Sequence, residues 1–383
     1  MFCKSLFVLS VLASVQVYAQ VTVQLYRNTI SDLIQNAHSH PAKIDTTERV
    51  NGLNFNLLAY WYYSTISVGS NKQKLNVSFA TEDESIYIPT GGDKNVTTFN
   101  PSESSSFIRT TTKIPNVHCN VSMYGNDTVQ IGNLSAASQP LALYEVGTCM
   151  NILNGSVGLG FTVENQLPTF VDNLFLQGKI KKQVVGLHLN RDWKSHFAGE
   201  ISIGHLDTRL VDDNIKYIKA TPVVPYWSVT LNIVKFNDVL IATNVEAVLS
   251  SYLAFILLPN DNFRTVSKLM KGSILVDGFL LIDKSSVDKL PALEITVSEN
   301  KYTLSPKDYV DTVHDFNGLN LILLGSTEDS KWQIGGSFLG KYYMELDYQN
   351  RRIGFSELKS SGGPSRSGLF VPLLLITALI NVM

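Results

Sequence analysis

Two short stretches hold the residues best placed to do chemistry. Phe79-Ala80-Thr81-Glu82-Asp83, inside YYSTISVGSNKQKLNVSFATEDESIYIP, sets two adjacent carboxylates behind a methyl and a hydroxyl. Far downstream, Ala247-Val248-Leu249-Ser250-Ser251-Tyr252-Leu253-Ala254-Phe255-Ile256-Leu257-Leu258-Pro259 carries two hydroxyls and a phenol within an apolar run. Two facing carboxylates that share a proton can activate a water between them, because like charges a few ångströms apart cannot both ionise. Glu82 or Asp83 could supply one such group, but Leu249 to Leu253 contains no acid, and a dyad cannot be built from one side. A nucleophilic Ser250 would need a histidine and an orienting acid in register. His38, His40, His118, His188, His196, His205 and His314 are scattered and read as surface or core residues. There is no Cys-X-X-Cys or His-Glu-X-X-His, so neither a zinc site nor a thiol redox site is expected. No cofactor is expected either.

The elements around these stretches read as short strands. Thr65–Val68, Leu75–Phe79, Ser85–Ile88, Glu200–Ile203, Ser228–Val234 and Ile353–Phe355 are alternating or apolar runs punctuated by Gly, Asn, Asp and Pro. Helical periodicity is scarce, with Leu167–Gln177 and Asp261–Lys271 the better candidates. At 383 residues and 44% hydrophobic content the chain can bury a large core. A net charge of −2 offers no basic surface for nucleic acid.

Both stretches, with several others in order, resemble the pepsin-like aspartic peptidases (peptidase A1). In that family each of two lobes carries an apolar strand ending in Asp-Thr-Gly-Ser/Thr, followed by another apolar run with Pro. Ala80 and Ser250 stand where the two catalytic Asp belong. Thr81 keeps its place, Ser251 replaces the second Thr, and Glu82 and Tyr252 replace the glycines. Further matches are Asn154-Gly155-Ser156-Val157-Gly158-Leu159-Gly160, Pro168 to Leu174 with Gln177-Gly178, Pro225-Tyr226-Trp227-Ser228-Val229, and Trp332 to Leu339 with Tyr342-Tyr343, Asp347 and Arg352 to Phe355. The resemblance implies a mainly all-β, bilobal fold with a few short helices: an N-terminal lobe at 61–205 and a C-terminal lobe at 206–358. It also implies that Ala80 and Ser250 are degenerate catalytic positions, flanked by cleft loops Thr81, Glu82, Asp83 and Ser251, Tyr252. Since a glycine lets backbone approach closely, Glu82 and Tyr252 are expected to deny that approach at both loops. The hairpin that covers the family's cleft is altered as well. Its strand survives as Asp127-Thr128-Val129-Gln130-Ile131-Gly132, but Thr112 to Cys119 lacks the Tyr-Gly-Thr-Gly motif, and Tyr124 belongs to the strand.

The termini and modification signals point to the secretory route. Residues 1–19 combine Lys4, an apolar stretch from Leu6 to Val17 and Val17-Tyr18-Ala19, which reads as a signal peptide cleaved after Ala19. Residues 20–60 form a propeptide-like segment with few basic residues, expected to stay attached, with Val21-Thr22-Val23-Gln24-Leu25 as its strand. Residues 359–383 read as a GPI-attachment signal: Ser360 to Gly363, a polar spacer and an apolar run from Leu369 to Met383, with Ser361 as the attachment site. Sequons occur at Asn76, Asn95, Asn120, Asn126, Asn133 and Asn154, all in the first lobe. Cys119 and Cys149, the two cysteines left after signal removal, are expected to form one disulfide.

Taken together, the expectation is a GPI-anchored, monomeric, catalytically inactive glycoprotein on the outer face of the plasma membrane that binds a peptide or protein ligand. An aspartic-type endopeptidase with non-standard catalytic residues and a structural coat glycoprotein are the alternatives.

Overall fold

The computed structural model describes residues 20–26, 49–50, 53–54, 62–91, 96–114, 119–149, 155–162, 167–190, 192, 195–211, 214–221, 226–276, 279–316 and 318–359. The expected signal peptide, most of the 20–60 segment, Asn95, Asn154 and the tail with Ser361 lie outside these residues.

Alternation builds the strands. In Gln73–Ala80, Leu75, Val77 and Phe79 point into the core while Lys74 and Asn76 face solvent, the period-2 pattern of a sheet with one wet face. This strand belongs to a seven-stranded sheet with Ser64–Val68, Ser156–Gly158, Ile86–Pro89, Leu134–Cys149, Cys119–Ile131 and Ile108–Thr110. A second seven-stranded sheet, ordered Asn300–Leu304, Leu293–Val297, Ser228–Phe236, Val239–Leu249, Trp332–Ile334, Ile256–Pro259, Leu324–Thr327, repeats its central logic.

In the first sheet, Ser156–Gly158 lies parallel to Gln73–Ala80 and antiparallel to Ile86–Pro89, which runs parallel to Leu134–Cys149. In the second, Trp332–Ile334 lies parallel to Val239–Leu249 and antiparallel to Ile256–Pro259, which runs parallel to Leu324–Thr327. The two lobes are therefore structural copies, and in each a loop, after Ala80 in the first and after Leu249 in the second, leaves the end of the corresponding strand. A four-stranded sheet of Ser273–Val276, Phe279–Asp283, Leu319–Ile322 and Val310–Phe316 completes the second lobe.

A six-stranded sheet joins the lobes. Its order is Val21–Tyr26, Phe197–Ile203, Val184–Leu189, Tyr342–Asp347, Arg352–Glu357, Lys216–Lys219, so strands from both halves of the chain pair side by side. The N-terminal run expected to be a strand is its edge, antiparallel to Phe197–Ile203, with Leu25 fully buried and Val21 and Val23 packed on the core. Tyr26 exchanges two backbone hydrogen bonds with Tyr63, at 2.7 and 2.9 Å.

The helices are short. Phe170–Leu176 begins later than periodicity suggests because Thr169 accepts from the Asp172 N–H while Asp172 reaches back to the Thr169 N–H, a capping box that fixes the start. Asn260–Leu269 follows the second lobe's Ile256–Pro259 strand. One continuous apolar core runs through both lobes. Trp227, fully buried, packs edge-on against Phe161 and Tyr348 at ring separations of 4.8 and 5.0 Å.

Candidate functional site where the two lobe loops meet

The first loop is fixed from below. Register opposes Gly158 to Ala80, the Leu159 N–H donates to the Ala80 carbonyl at 2.7 Å, and the Gly160 N–H donates to the Asp83 carbonyl at 2.5 Å. A Cβ on Gly158 would lie 2.5 Å from the backbone of Asp83, Glu84 and Ser85, so this approach requires glycine. The second lobe answers in kind. The Ser250 N–H donates to Ile334 at 2.9 Å, the Gly336 N–H donates to Leu253 at 2.6 Å, and a Cβ on Gly335 would collide with the Phe255 carbonyl at 2.2 Å. Two second-lobe side chains also brace the first loop: Trp227 Nε1–H and Tyr348 O–H both donate to the Leu159 carbonyl, at 2.6 and 2.7 Å.

Between the loops, the positions after the degenerate ones make a reciprocal set of bonds. The Thr81 N–H donates to Ser251 Oγ at 3.1 Å, and the Ser251 N–H donates to Thr81 Oγ1 at 2.9 Å. Each hydroxyl then donates to a carbonyl of the opposite loop, Thr81 to Leu249 at 2.7 Å and Ser251 to Phe79 at 2.5 Å. Thr81 and Ser251 are both buried, so every polar group in this contact finds a partner out of water. Only the hydroxyl and the N–H of Ser251 are used, groups that a threonine would supply equally.

This geometry corrects one expectation. Glu82 and Tyr252 do not hold the loops apart. Neither is among the residues of positive φ, so no left-handed backbone is demanded of them. Both remain partly exposed, their side chains accommodated while the Thr81–Ser251 contact stays at hydrogen-bond distance. The obligatory glycines are instead Gly158 and Gly335, one layer behind.

The remaining loop residues define the chemistry. Ala80 is buried and presents a methyl; Ser250 is buried, and its Oγ has no partner at hydrogen-bond geometry. The group it faces is the Glu82 carboxyl, reaching across from the first loop. Burial pushes the Glu82 acid up to about 8, a rise that the Ser250 and Thr81 hydroxyls only partly offset. The second Glu82 oxygen, Oε1, is sealed from solvent with no partner. Asp83 turns the other way and accepts from the Ser85 N–H at 3.0 Å. Burial, reinforced by neighbouring Glu84, raises it to about 7 against that backbone bond. Burial, with the Glu82 charge next, also raises Tyr252 above the ordinary phenol range.

Glu82 is the residue whose role the sequence undersold. Glu82 and Asp83 bring two acids to one side of the junction, and the second loop supplies only hydroxyl groups and a phenol. No histidine partners Ser250 among the described residues, and none of these residues groups three His, Cys, Asp or Glu for a metal.

Other expected features fall around the site. Tyr124 lies in Cys119–Ile131, opposite Thr110, and so is a strand residue. Ile114 packs with Tyr87, Ala142 and Tyr144. Cys119 and Cys149 are direct cross-strand partners, a relation that places Cα atoms about 4.5 to 5.5 Å apart, within the span of a disulfide. Asn76, Asn120 and Asn133 are exposed and Asn126 half-buried. No described helix is long and apolar enough to cross a membrane.

Comparison with known proteins follows the same lines. The chain is 26% identical to pregnancy-associated glycoprotein 2 of Bos taurus over 348 residues, covering 86% of this chain and 90% of that protein. It is 25% identical to pepsin A of Sus scrofa over 322 residues, with coverage of 79% and 82%. Against human cathepsin D it is 26% identical over 334 residues, with coverage of 77% and 80%. The model of the eukaryotic aspartyl protease family matches residues 61–358. With two duplicated lobes meeting at Thr81 and Ser251 and a family match over most of its length, this chain belongs to the eukaryotic aspartyl proteases.

Proposed function

We propose that the protein is a catalytically inactive member of this family that holds a peptide or protein ligand in the cleft between its lobes without cutting it. The observation that carries this reading is the contrast within four residues. The hydrogen bonds of Thr81 and Ser251 that set the loops are complete, while the adjoining positions carry a methyl and an unionisable hydroxyl. Peptide hydrolysis by shared-proton chemistry needs one carboxylate to take a proton from water while a second gives one to the substrate. Glu82 is a single carboxyl, held near Ser250 and protonated below about pH 8, and it cannot fill both roles.

The proposal extends to the setting. A cleaved signal peptide, a retained N-terminal segment, a Cys119–Cys149 disulfide, glycans on the first lobe and a GPI anchor at Ser361 would place a monomeric receptor-type glycoprotein on the outer face of the plasma membrane. The edge strand Val21–Tyr26 supports retention, because its removal would strip a paired strand and buried Leu25 from the central sheet.

Purified protein incubated at pH 3 to 5 with a quenched-fluorescent peptide library is expected to show no cleavage sensitive to a pepstatin-type inhibitor. Inhibitor-sensitive cleavage would instead establish the non-standard endopeptidase. Treating expressing cells with a phosphatidylinositol-specific phospholipase should release the protein, and retention would remove the anchor from the proposal.

A further inference from the structure

The first loop carries three acids in succession. Glu82, Asp83 and Glu84 follow one another at the junction of the lobes, and the first is the one that reaches across to the second loop. Three of the molecule's buried carboxylates are matched by cations, whereas Asp127 and Glu345 are held by hydroxyl or backbone N–H donors. Asp207 pairs with Arg209, Asp308 with Lys341 at 2.8 Å and Asp347 with Arg352 at 2.7 Å. Glu82 has no such cation among the described residues, and its buried Oε1 is unpartnered. The Ser250 hydroxyl opposite is about 1% exposed and also unpartnered.

Glu82 is partly exposed at the lobe junction, yet its Oε1 and the Ser250 hydroxyl lack partners, and a polar group buried without one is costly. Resting on the reading of the cleft as a non-catalytic binding site, we infer that the cleft recognises a cationic side chain, a lysine or arginine of the bound peptide. Glu82 is its ion-pair partner, and Ser250 Oγ accepts a hydrogen bond from the same cation.

Two features fit an organic cation. The acids do not assemble into a cluster of three metal-ligating groups among the described residues, so the donor set is not that of a bare metal ion. Two partly exposed phenols, Tyr252 and Tyr226, are the electrostatic neighbours of Glu82 from the second lobe, and aromatic faces favour ammonium and guanidinium groups.

The cation changes the protonation of its site. The groups facing Glu82 are Asp83 on its own loop, Ser250 and Tyr252 on the second, and Tyr226 ahead of Ser228–Phe236. Glu84 and Tyr87 sit around Asp83, while Lys331 acts on Tyr226 and is itself tied to Glu246 at 3.3 Å. Without ligand, Glu82 holds its proton until about pH 8. A bound ammonium or guanidinium favours the carboxylate, so binding expels that proton and tightens as pH rises.

The test uses the full-length protein displayed on cells and four randomised octapeptide pools whose central residue is fixed as lysine, arginine, citrulline or norleucine. The lysine and arginine pools are expected to bind at least tenfold tighter than citrulline and norleucine at pH 8.5. Their affinity should fall several-fold at pH 6, and Glu82→Gln should abolish the preference. Equal binding of all four pools would overturn the inference while leaving a peptide-binding cleft intact. So would neutral-pool affinity that rises toward low pH, the signature of a protonated Glu82 donating to an amide. Binding of no pool would remove the peptide-binding reading itself. A preference for cations that survives Glu82→Gln would move recognition away from this loop.

Discussion

In the first loop the chain carries a methyl at Ala80 and three consecutive acids two positions beyond it. In the second it carries a hydroxyl at Ser250 and no acid at all, only Tyr252. At the next position the loops agree: Thr81 and Ser251 each bond the other's backbone in the same pattern. The difference separates two demands on the same turn. Positions facing inward at the lobe contact must satisfy buried backbone groups whether or not the protein cuts anything. Positions facing the cleft are free of that constraint and have diverged.

The largest test of this division is Ser251→Ala. It removes the donor to the Phe79 carbonyl and the acceptor of the Thr81 N–H, leaving two buried groups unsatisfied at about 1 to 3 kcal/mol each. A loss of about 4 kcal/mol in urea unfolding is expected. Ser251→Thr should recover nearly all of it, since it restores the hydroxyl. A loss under about 1 kcal/mol would show that the two loops are held by something else.

Next in size is the pH profile of stability. Glu82 has a folded-state acid constant near 8 against 4.5 unfolded, and Asp83 near 7 against 3.8. The folded protein therefore holds more protons than the unfolded chain between these limits. Stability should be greatest below about pH 4, as far as these two groups are concerned, and decline as pH rises through 7 to 8. Glu82→Gln should flatten the decline by about 3 kcal/mol between pH 5 and 8.5, the range that its burial spans. A profile unchanged by the substitution would mean that the carboxyl is hydrated and not facing Ser250.

Much of this architecture was written plainly in the chain. The two frames were legible because sequence and structure impose the same local requirement: an apolar strand, a hydroxyl residue, then a second apolar run ending at Pro89 or Pro259. The strand at Val21–Leu25 was legible too, though not its partner, since pairing with Phe197–Ile203 depends on the folding of the whole first lobe. The expectation for Glu82 and Tyr252 failed because it assigned the need for glycine to the turn itself. The collision that glycine relieves lies at Gly158 and Gly335, which pack behind the turns from distant sequence. The direction of the Glu82 side chain was hidden for a related reason. It reaches toward Ser250, so its placement depends on a residue of the other lobe.

The lobes also differ in how their loops are braced. The second loop leans on Ile334, Gly336 and Ser337 of its own lobe, whereas the first is held through Leu159 by Trp227 and Tyr348 of the other. Trp227→Phe keeps most of the ring packing and removes one of the two donors. Because Tyr348 still serves the Leu159 carbonyl, the expected loss is only about 1 to 1.5 kcal/mol. Trp227→Phe combined with Tyr348→Phe should cost clearly more than the sum of the two single changes, as the carbonyl is then left bare. Simple additivity would place water at Leu159 instead.

The smallest expected effect falls on the residue beside the one with the largest. Ser250 is as buried as Ser251, yet its Oγ forms no hydrogen bond at proper geometry. Ser250→Ala therefore deletes a hydroxyl whose burial was not repaid by a partner, and stability should change by less than about 0.5 kcal/mol in either direction. The change should still be felt by Glu82. The Ser250 hydroxyl facing that acid is the first of the influences that offset the rise caused by burial, so its removal should shift the Glu82 titration, followed by carboxyl NMR, to higher pH. A stability loss above about 1.5 kcal/mol with no shift in that titration would mark Ser250 as a second structural anchor like Ser251. The line between an inward face kept for folding and a neighbouring face free of that demand would then have to be drawn elsewhere.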